Sequence, residues 1–426
     1  MQAVVLHSVG TTGVRADQSP ADSVSSERVR VLDVLRGIAL LGMLVMHFAD
    51  KTVDVTGDAA NLFHRYISLY VDGRFFAIFG ILFGVSFAIQ LRRADARGER
   101  FAPRFLRRLA VLAVFGVVAE VGFGYPVLLG YAMWGVPLLL VRRWPTRSLV
   151  ALLVICAAST ALYRVGWFAA QAAQVGEQQA QATATAQSAN SRTVQQDMKR
   201  DLNSADIGRI IQARMRRLSS SYTQPLNFTQ YTFLPSDTFT LFLLGLLGFR
   251  LRVFDQPATR RWAIVGLMTF GIAAWAVSEW VLPLGTPRMP QSGESATGRI
   301  LLIHLAYTFF LLRTDWLAFA YIGAVLLLVS RTAAWLNAFA PFEWAGRMAL
   351  TNYMLQIAVL DLVFTPHGFG LSVTPWRGPV WAVGLFLSQA LFSRWWLERY
   401  QYGPLEWVWR SATYWRRPTR LVAASD

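Results

Sequence analysis

Between Arg28 and Asp50 the chain reads RVRVLDVLRGIALLGMLVMHFAD, an apolar run with Asp33 and Arg36 at one end and His47 and Asp50 at the other. Set on a helix at about 100° per residue, Arg36 and His47 point within roughly 20° of each other, and all four groups fall in an arc of roughly 100°. Lipid penalises such a stripe, so it must face a bundle interior or a wet cavity. Along the axis Arg36 and His47 are about 16 Å apart. An imidazole with a carboxylate about one turn on, as in His47 and Asp50, has the makings of a general base. The same histidine also suits a structural hydrogen bond or a pore lining. Asp33 and Arg36 equally suit a helix cap and a snorkelling cation.

Other ionisable groups extend this pattern. Arg104 and Arg107 form an R-x-x-R pair where the third apolar run begins. Guanidinium forks suit phosphates, and arginines also mark cytosolic loops. Glu120 stands in the outer half of that run, His304 near the outer start of a later one, and Glu279 near the outer end of another. Arg347 and Thr351 are one turn apart, as are Asn352 and Gln356. These either bond between helices or line a channel. The inner half thus has residues for an anionic phosphate ligand and the outer half has candidate acids and bases.

The elements that must position these groups are membrane spans. The chain has 426 residues, 54% hydrophobic and 15% charged, against roughly 25% charged in globular averages. Apolar runs of about 20 residues, enough to cross a hydrocarbon core, recur along it. Ten are expected, at 31–50, 66–91, 104–122, 125–141, 148–170, 231–249, 261–282, 300–330, 342–364 and 378–397. The expected fold is an all-α polytopic bundle.

Arginines fill every second connection: Arg92 to Arg108, Arg142 to Arg147, Arg250 to Arg261 and Arg410 to Arg420. Both termini are therefore expected in the cytosol. The same rule explains the net charge of +16 without nucleic acid. Residues 1–27 read as a disordered cytosolic tail rather than a signal peptide. Two five-span halves, 28–170 and 231–415, flank a hydrophilic external insert at 171–230, a helical cap or a lid by composition; residues 416–426 form a cytosolic tail. The lone Cys156 excludes an intramolecular disulfide and a cysteine metal site, and no metal is expected. Gly80 and Gly84, one turn apart, mark a close helix contact.

Three stretches resemble the YeiB-like bacterial membrane proteins, whose C-terminal domain is catalogued as of unknown function. They are LDVLRGIALLGMLV, EWAGRMALTNYMLQ at Glu343–Gln356, and YQYGPLEWVWR at Tyr400–Arg410. That family is in turn similar to transmembrane acyltransferases, including the heparan glucosaminide acetyltransferases and the acyltransferase-three group. In the latter a histidine lies ten residues after the glycine of the Leu-Arg-Gly opening, matched here by His47, and an R-x-x-R lies near the third span, matched by Arg104 and Arg107. The sequence departs from the YeiB-like pattern where a third-span histidine and a following Gly-Asp pair are usual. Here Val118 to Glu120 and Tyr125-Pro126 stand in those places.

The resemblance implies an inner-membrane enzyme that moves an acyl group, acetyl by expectation, from cytosolic acyl-CoA to an envelope acceptor. Arg36, Arg104, Arg107 and Arg347 would hold the CoA phosphates, with Thr351 and Asn352 lining the channel. His47, assisted by Asp50, would take the acceptor's proton, with Glu120 and His304 as further candidates. A transporter or flippase, or an inactive accessory protein, is the competing expectation. The internal repeat that a transporter should show is not evident.

Overall fold

The computed structural model describes residues 20–51, 58–223, 237–254, 260–281 and 313–415. Among these the chain is helical throughout, with no strand. The helices in chain order are α1 (Pro20–Ala49), α2 (Asp58–Tyr70), α3 (Arg74–Ala96), α4 (Phe101–Val117), α5 (Val127–Val141), α6 (Thr146–Val175), α7 (Glu177–Leu202) and α8 (Ile207–Thr223). They continue with α9 (Asp237–Arg250), α10 (Arg261–Ala276), α11 (Arg313–Val329), α12 (Ala333–Ala338), α13 (Ala340–Arg347), α14 (Ala349–Phe364), α15 (Arg377–Leu397) and α16 (Pro404–Tyr414). Two helices end in π-helical turns, α4 at Val118–Phe123 and α10 at Val277–Val281.

Among the described residues, three stretches are long and apolar enough to cross a membrane: Arg30–Ala49, Ala60–Ala96 and Arg261–Glu279. Val127–Val141, Thr146–Ser159, Thr238–Arg250, Trp316–Val329 and Ala349–Phe364 are apolar but shorter. The expected run at 66–91 is broken: Gly73, in a left-handed conformation (φ 76°), separates the amphipathic α2 from the span α3. The expected run at 342–364 is also broken, at Met348 between α13 and α14. The first part of the expected run at 300–330, residues 300–312, lies outside the described residues, and α11 covers most of the remainder. The insert forms helices α7 and α8, the latter packed on the π turn after α4.

Helix α1 sits at the centre, packed on α3, α13 and α15. Helices α3 and α9 run side by side. A Cβ on Gly84 would lie 2.1 Å from the Phe242 carbonyl, and one on Gly245 2.0 Å from that of Ile81. This is the close contact that the Gly80/Gly84 row calls for.

The arginine-rich connections gather at one end. The Arg92 guanidinium lies 5.0 Å from the Phe249 ring, Arg250 Nη2 donates to the Arg142 carbonyl at 2.8 Å, and Trp409 Nε1 donates to the Arg108 carbonyl at 2.9 Å. This is called the basic end below. The far end carries His47, the π turns and α8.

Candidate functional site

The three recognisable motifs meet at the basic end. Gly346 of α13 touches α1 so closely that a Cβ there would sit 1.9 Å from the Asp33 carbonyl, and one on Gly37 2.0 Å from that of Phe342. Arg30 pairs with Glu343 across this crossing at 3.0 Å. The break at Met348 exposes the first backbone N–H groups of α14. Glu406 of α16 accepts from the N–H of Leu350 at 2.7 Å and of Thr351 at 3.0 Å, and from the Thr351 hydroxyl at 2.6 Å. The Leu405 N–H donates back to Thr351 Oγ1 at 3.1 Å. A carboxylate on a helix N-terminus is favourable for both hydrogen bonding and dipole. The opening stretch, the EWAGR signature and the closing motif are therefore bolted together.

They enclose a cavity of about 660 Å³, within the roughly 300–1,000 Å³ usual for small-molecule sites. Seven arginines and three carboxylates line it. Arg93, Arg97, Arg347 and Arg410 are exposed at its mouth, while Arg36 and Arg108 lie half-buried farther in. Arg36 pairs with Asp33 and donates through Nη2 to Ser86 Oγ at 2.6 Å, which fixes the fork. The Arg108 guanidinium lies over Trp409 at 3.9 Å and that of Arg410 over Tyr402 at 4.3 Å. Arg104 is paired with Glu99 and holds that carboxyl below its ordinary range by hydrogen bonding. Arg93, Arg97, Arg108, Arg347 and Arg410 make no ion pair with another described residue. Farther in, the walls turn aromatic, with Phe79, Phe83, Phe87, Phe105, Tyr131 and Tyr353. A cationic mouth leading to an apolar sleeve fits a long ligand with phosphates at one end and an acyl or alkyl group at the other.

The inner end of the cavity is marked by Met43, Val127 and Tyr353. His47 lies four residues beyond Met43, about 6 Å along the helix. Its ring is 8% exposed and edge-on to Tyr125, centroids 4.6 Å apart. Tyr125 stands where YeiB-like proteins usually carry the Gly-Asp pair, so the sequence departure supplies the residue that packs on His47.

The predicted site residues separate into three sets. Asp33, Arg36, Arg104 and Arg347 meet at the cavity. Arg107 does not: it is exposed and faces away, and Arg108, the true one-turn neighbour of Arg104, takes the inward place. Thr351 and Asn352 are placed elsewhere too. Thr351 is taken up by Glu406, and Asn352 Nδ2 donates at 3.0 Å to both the Ala345 carbonyl and Ser393 Oγ. Gln356 donates to Gln389 at 2.9 Å and Gln389 to the Asn352 carbonyl at 3.1 Å, a polar ladder tying α14 to α15.

At the far end, Asp50 lies exposed just past α1, and the carboxylate–imidazole pair is instead Asp361–His367, at 3.1 Å. Glu120 is 1% exposed and paired with Arg217 of α8 at 2.7 Å. Glu279, in the other π turn, lies 3.8 Å from the fully buried Arg74. His304 lies outside the described residues. Arg108, Tyr353, Asp361, His367 and Arg214 escaped the sequence reading. Only Arg108 had a local signal, its spacing of four from Arg104.

Comparison with known proteins matches two parts of the chain to two families. Residues 28–183 match the heparan-α-glucosaminide N-acetyltransferase catalytic family, and residues 248–416 match the protein family of unknown function DUF418. A stretch of 68 residues is 37% identical to the uncharacterized protein YeiB of Escherichia coli (strain K12), covering 16% of this chain and 18% of that one. The chain is YeiB-like. Two relatives match this YeiB-like chain nearly end to end. Uncharacterized protein YxaH of Bacillus subtilis (strain 168) is 27% identical over 92% of this chain and 96% of its own. An uncharacterized 39.9 kDa protein in the amylase 3′ region of Bacillus acidopullulyticus is 29% identical over 94% and 98%. No solved structure matches. The apolar helices and both family matches make it a membrane protein.

Proposed function

We propose that this YeiB-like protein is a membrane acyltransferase that takes an acyl group from cytosolic acyl-CoA, with acetyl-CoA as the first donor to test, and gives it to an acceptor hydroxyl or amine from the far side. The observation that carries the reading is the cavity: seven arginines in its lining, four of them at the mouth, an aromatic sleeve farther in, and His47 about one turn past its inner end. The match of residues 28–183 to an acetyltransferase catalytic family supports it.

In this reading Arg36 and Arg108 hold phosphate, and the mouth arginines Arg93, Arg97, Arg347 and Arg410 draw in the anionic donor. The pantetheine arm lies in the aromatic sleeve and brings the thioester to His47. The acceptor's oxygen or nitrogen attacks the thioester carbonyl, the new bond to carbon forms, and the carbon–sulfur bond breaks. His47 takes the acceptor's proton and then gives it up to water, and the CoA thiolate leaves towards the cytosol, where it takes a proton from water. Packing on Tyr125 fixes the ring, as general-base catalysis requires.

Adjacent arginines provide the test. Arg108→Ala should weaken acetyl-CoA binding to purified protein about tenfold to hundredfold, the loss of roughly 1.5–3 kcal/mol for a charge-assisted bond. Arg107→Ala, which removes the same charge one position away, should leave it within about twofold, because an exposed cation outside the cavity contributes little. Isothermal titration of both variants decides it. Equal losses would reduce the cavity to a diffuse positive field, and no binding by the unaltered protein would remove the donor from the reading.

A further inference from the structure

The proposed reaction leaves the polar cluster at the far end unused. Two arginines three residues apart on α8 reach two different spans. Arg214, 5% exposed, sets Nη2 at 2.5 Å from Asp361 Oδ1 near the end of α14, and its Nη1 donates to the Gly122 carbonyl. The other Asp361 oxygen lies 3.1 Å from His367 Nε2. Arg217 sets Nε at 2.7 Å from Glu120 Oε1 and donates through Nη2 to the Gly124 carbonyl at 2.7 Å. These carbonyls lie at the C-terminal end of the π turn, where the last carbonyls of a helix have no partner within it. The turn ends at left-handed Gly124 (φ 84°), and Gly122 and Gly124 accept from side chains. Tyr125, the residue against His47, lies within the electrostatic reach of Asp361, Arg214 and Arg217. Helix α8 therefore bridges α4 and α14 beside the Tyr125–His47 contact.

The bonding there is incomplete. Glu120 Oε2, Arg214 Nε and His367 Nδ1 are buried and have no hydrogen-bond partner among the described residues. A buried polar atom left in this state favours any partner that can satisfy it. Donors and acceptors both stand ready, which suits a molecule rich in hydroxyl or amino groups.

We propose that α8 is a gate over the acceptor site, latched by Arg214 on Asp361 and Arg217 on Glu120, and released when a hydroxyl- or amine-bearing acceptor takes over those carboxylates. The acceptor role rests on the acyltransferase reading; the latch itself does not. In closed form the gate keeps water from the thioester, and opening admits the nucleophile.

The test reads accessibility, not activity. Ala213, beside Arg214, is 1% exposed, and the only cysteine, Cys156, is removable as Cys156→Ser. Ala213→Cys in that background, in lipid nanodiscs, should react slowly with a bulky maleimide. Adding Arg214→Ala and Arg217→Ala should speed labelling at least tenfold. A charge exchange, Arg217→Glu with Glu120→Arg, should keep labelling slow, whereas Arg217→Glu alone should speed it. Because the exchange retains the pair, it stays informative where the double alanine variant fails to fold. Rapid labelling of the latched protein, or equal rates with and without the arginines, would overturn the gate. Neither result touches acetyl-CoA binding, so the two proposals fail separately.

Discussion

His47→Gln is expected to lower acyl transfer by about 10²-fold or more, the usual worth of a positioned general base, while acetyl-CoA binding stays intact. Binding should survive because His47 is not among the cavity-lining residues; it stands about one turn past Met43. Glutamine is close in size and polarity, so it can replace a hydrogen bond or line a path but cannot take a proton near neutral pH. A transporter using the same stripe would therefore retain flux in this variant. Transfer and binding are to be measured in one purified sample. Full transfer would pass the role of base to another imidazole, and His367, already held by Asp361 at 3.1 Å, is the one the structure offers.

Gly346→Ala should be strongly destabilising, because it adds a methyl where the motif junction has no room for one. The new carbon would lie 1.9 Å from the Asp33 carbonyl and 2.9 Å from the Gly37 nitrogen, both backbone, so α1 and α13 must separate. Overpacking typically costs about 1–3 kcal/mol, and a rigid backbone contact belongs at or above the upper end. Moving α13 also shifts Glu343 off Arg30 and displaces Arg347 at the cavity mouth. Gly384→Ala in α15 is the control, since nothing lies within 4 Å of the added carbon and alanine favours the helix. Thermal unfolding in detergent should show a large loss for Gly346→Ala and none for Gly384→Ala. Equal midpoints would mean the three motifs are not held together by this contact.

What was legible in the sequence was what helical periodicity controls. Asp33 and His47 point inward from α1 as their shared arc required, at 7% and 8% exposure, and the Gly80/Gly84 row does meet another helix. Arg36 and Arg347, more than 300 residues apart, share a cavity because both sit where arginines mark one end of the bundle. The misses come from features without a period. A one-residue break at Met348 turned Thr351 from a channel candidate into a capping residue, and only the distant Glu406 explains it. Arg107 fits the R-x-x-R spacing of the acyltransferase-three group, but on α4 the pair that faces the cavity is Arg104 and Arg108. The Arg214–Asp361 pair spans 147 residues and two chain segments, a pairing that no local pattern records.

The central claim is that acyl-CoA bound at the arginine-lined cavity gives up its acyl group through this protein. The direct measurement supplies purified protein in nanodiscs with acetyl-CoA labelled in the acetyl group, adds an envelope extract as acceptor, and follows free CoA thiol and label together. Thiol release should be matched by label in an envelope component, with both lost in Arg36→Ala through weaker donor binding and in His47→Gln with binding retained. Acetyl-CoA that binds and stays intact, or that does not bind at all, would contradict the claim.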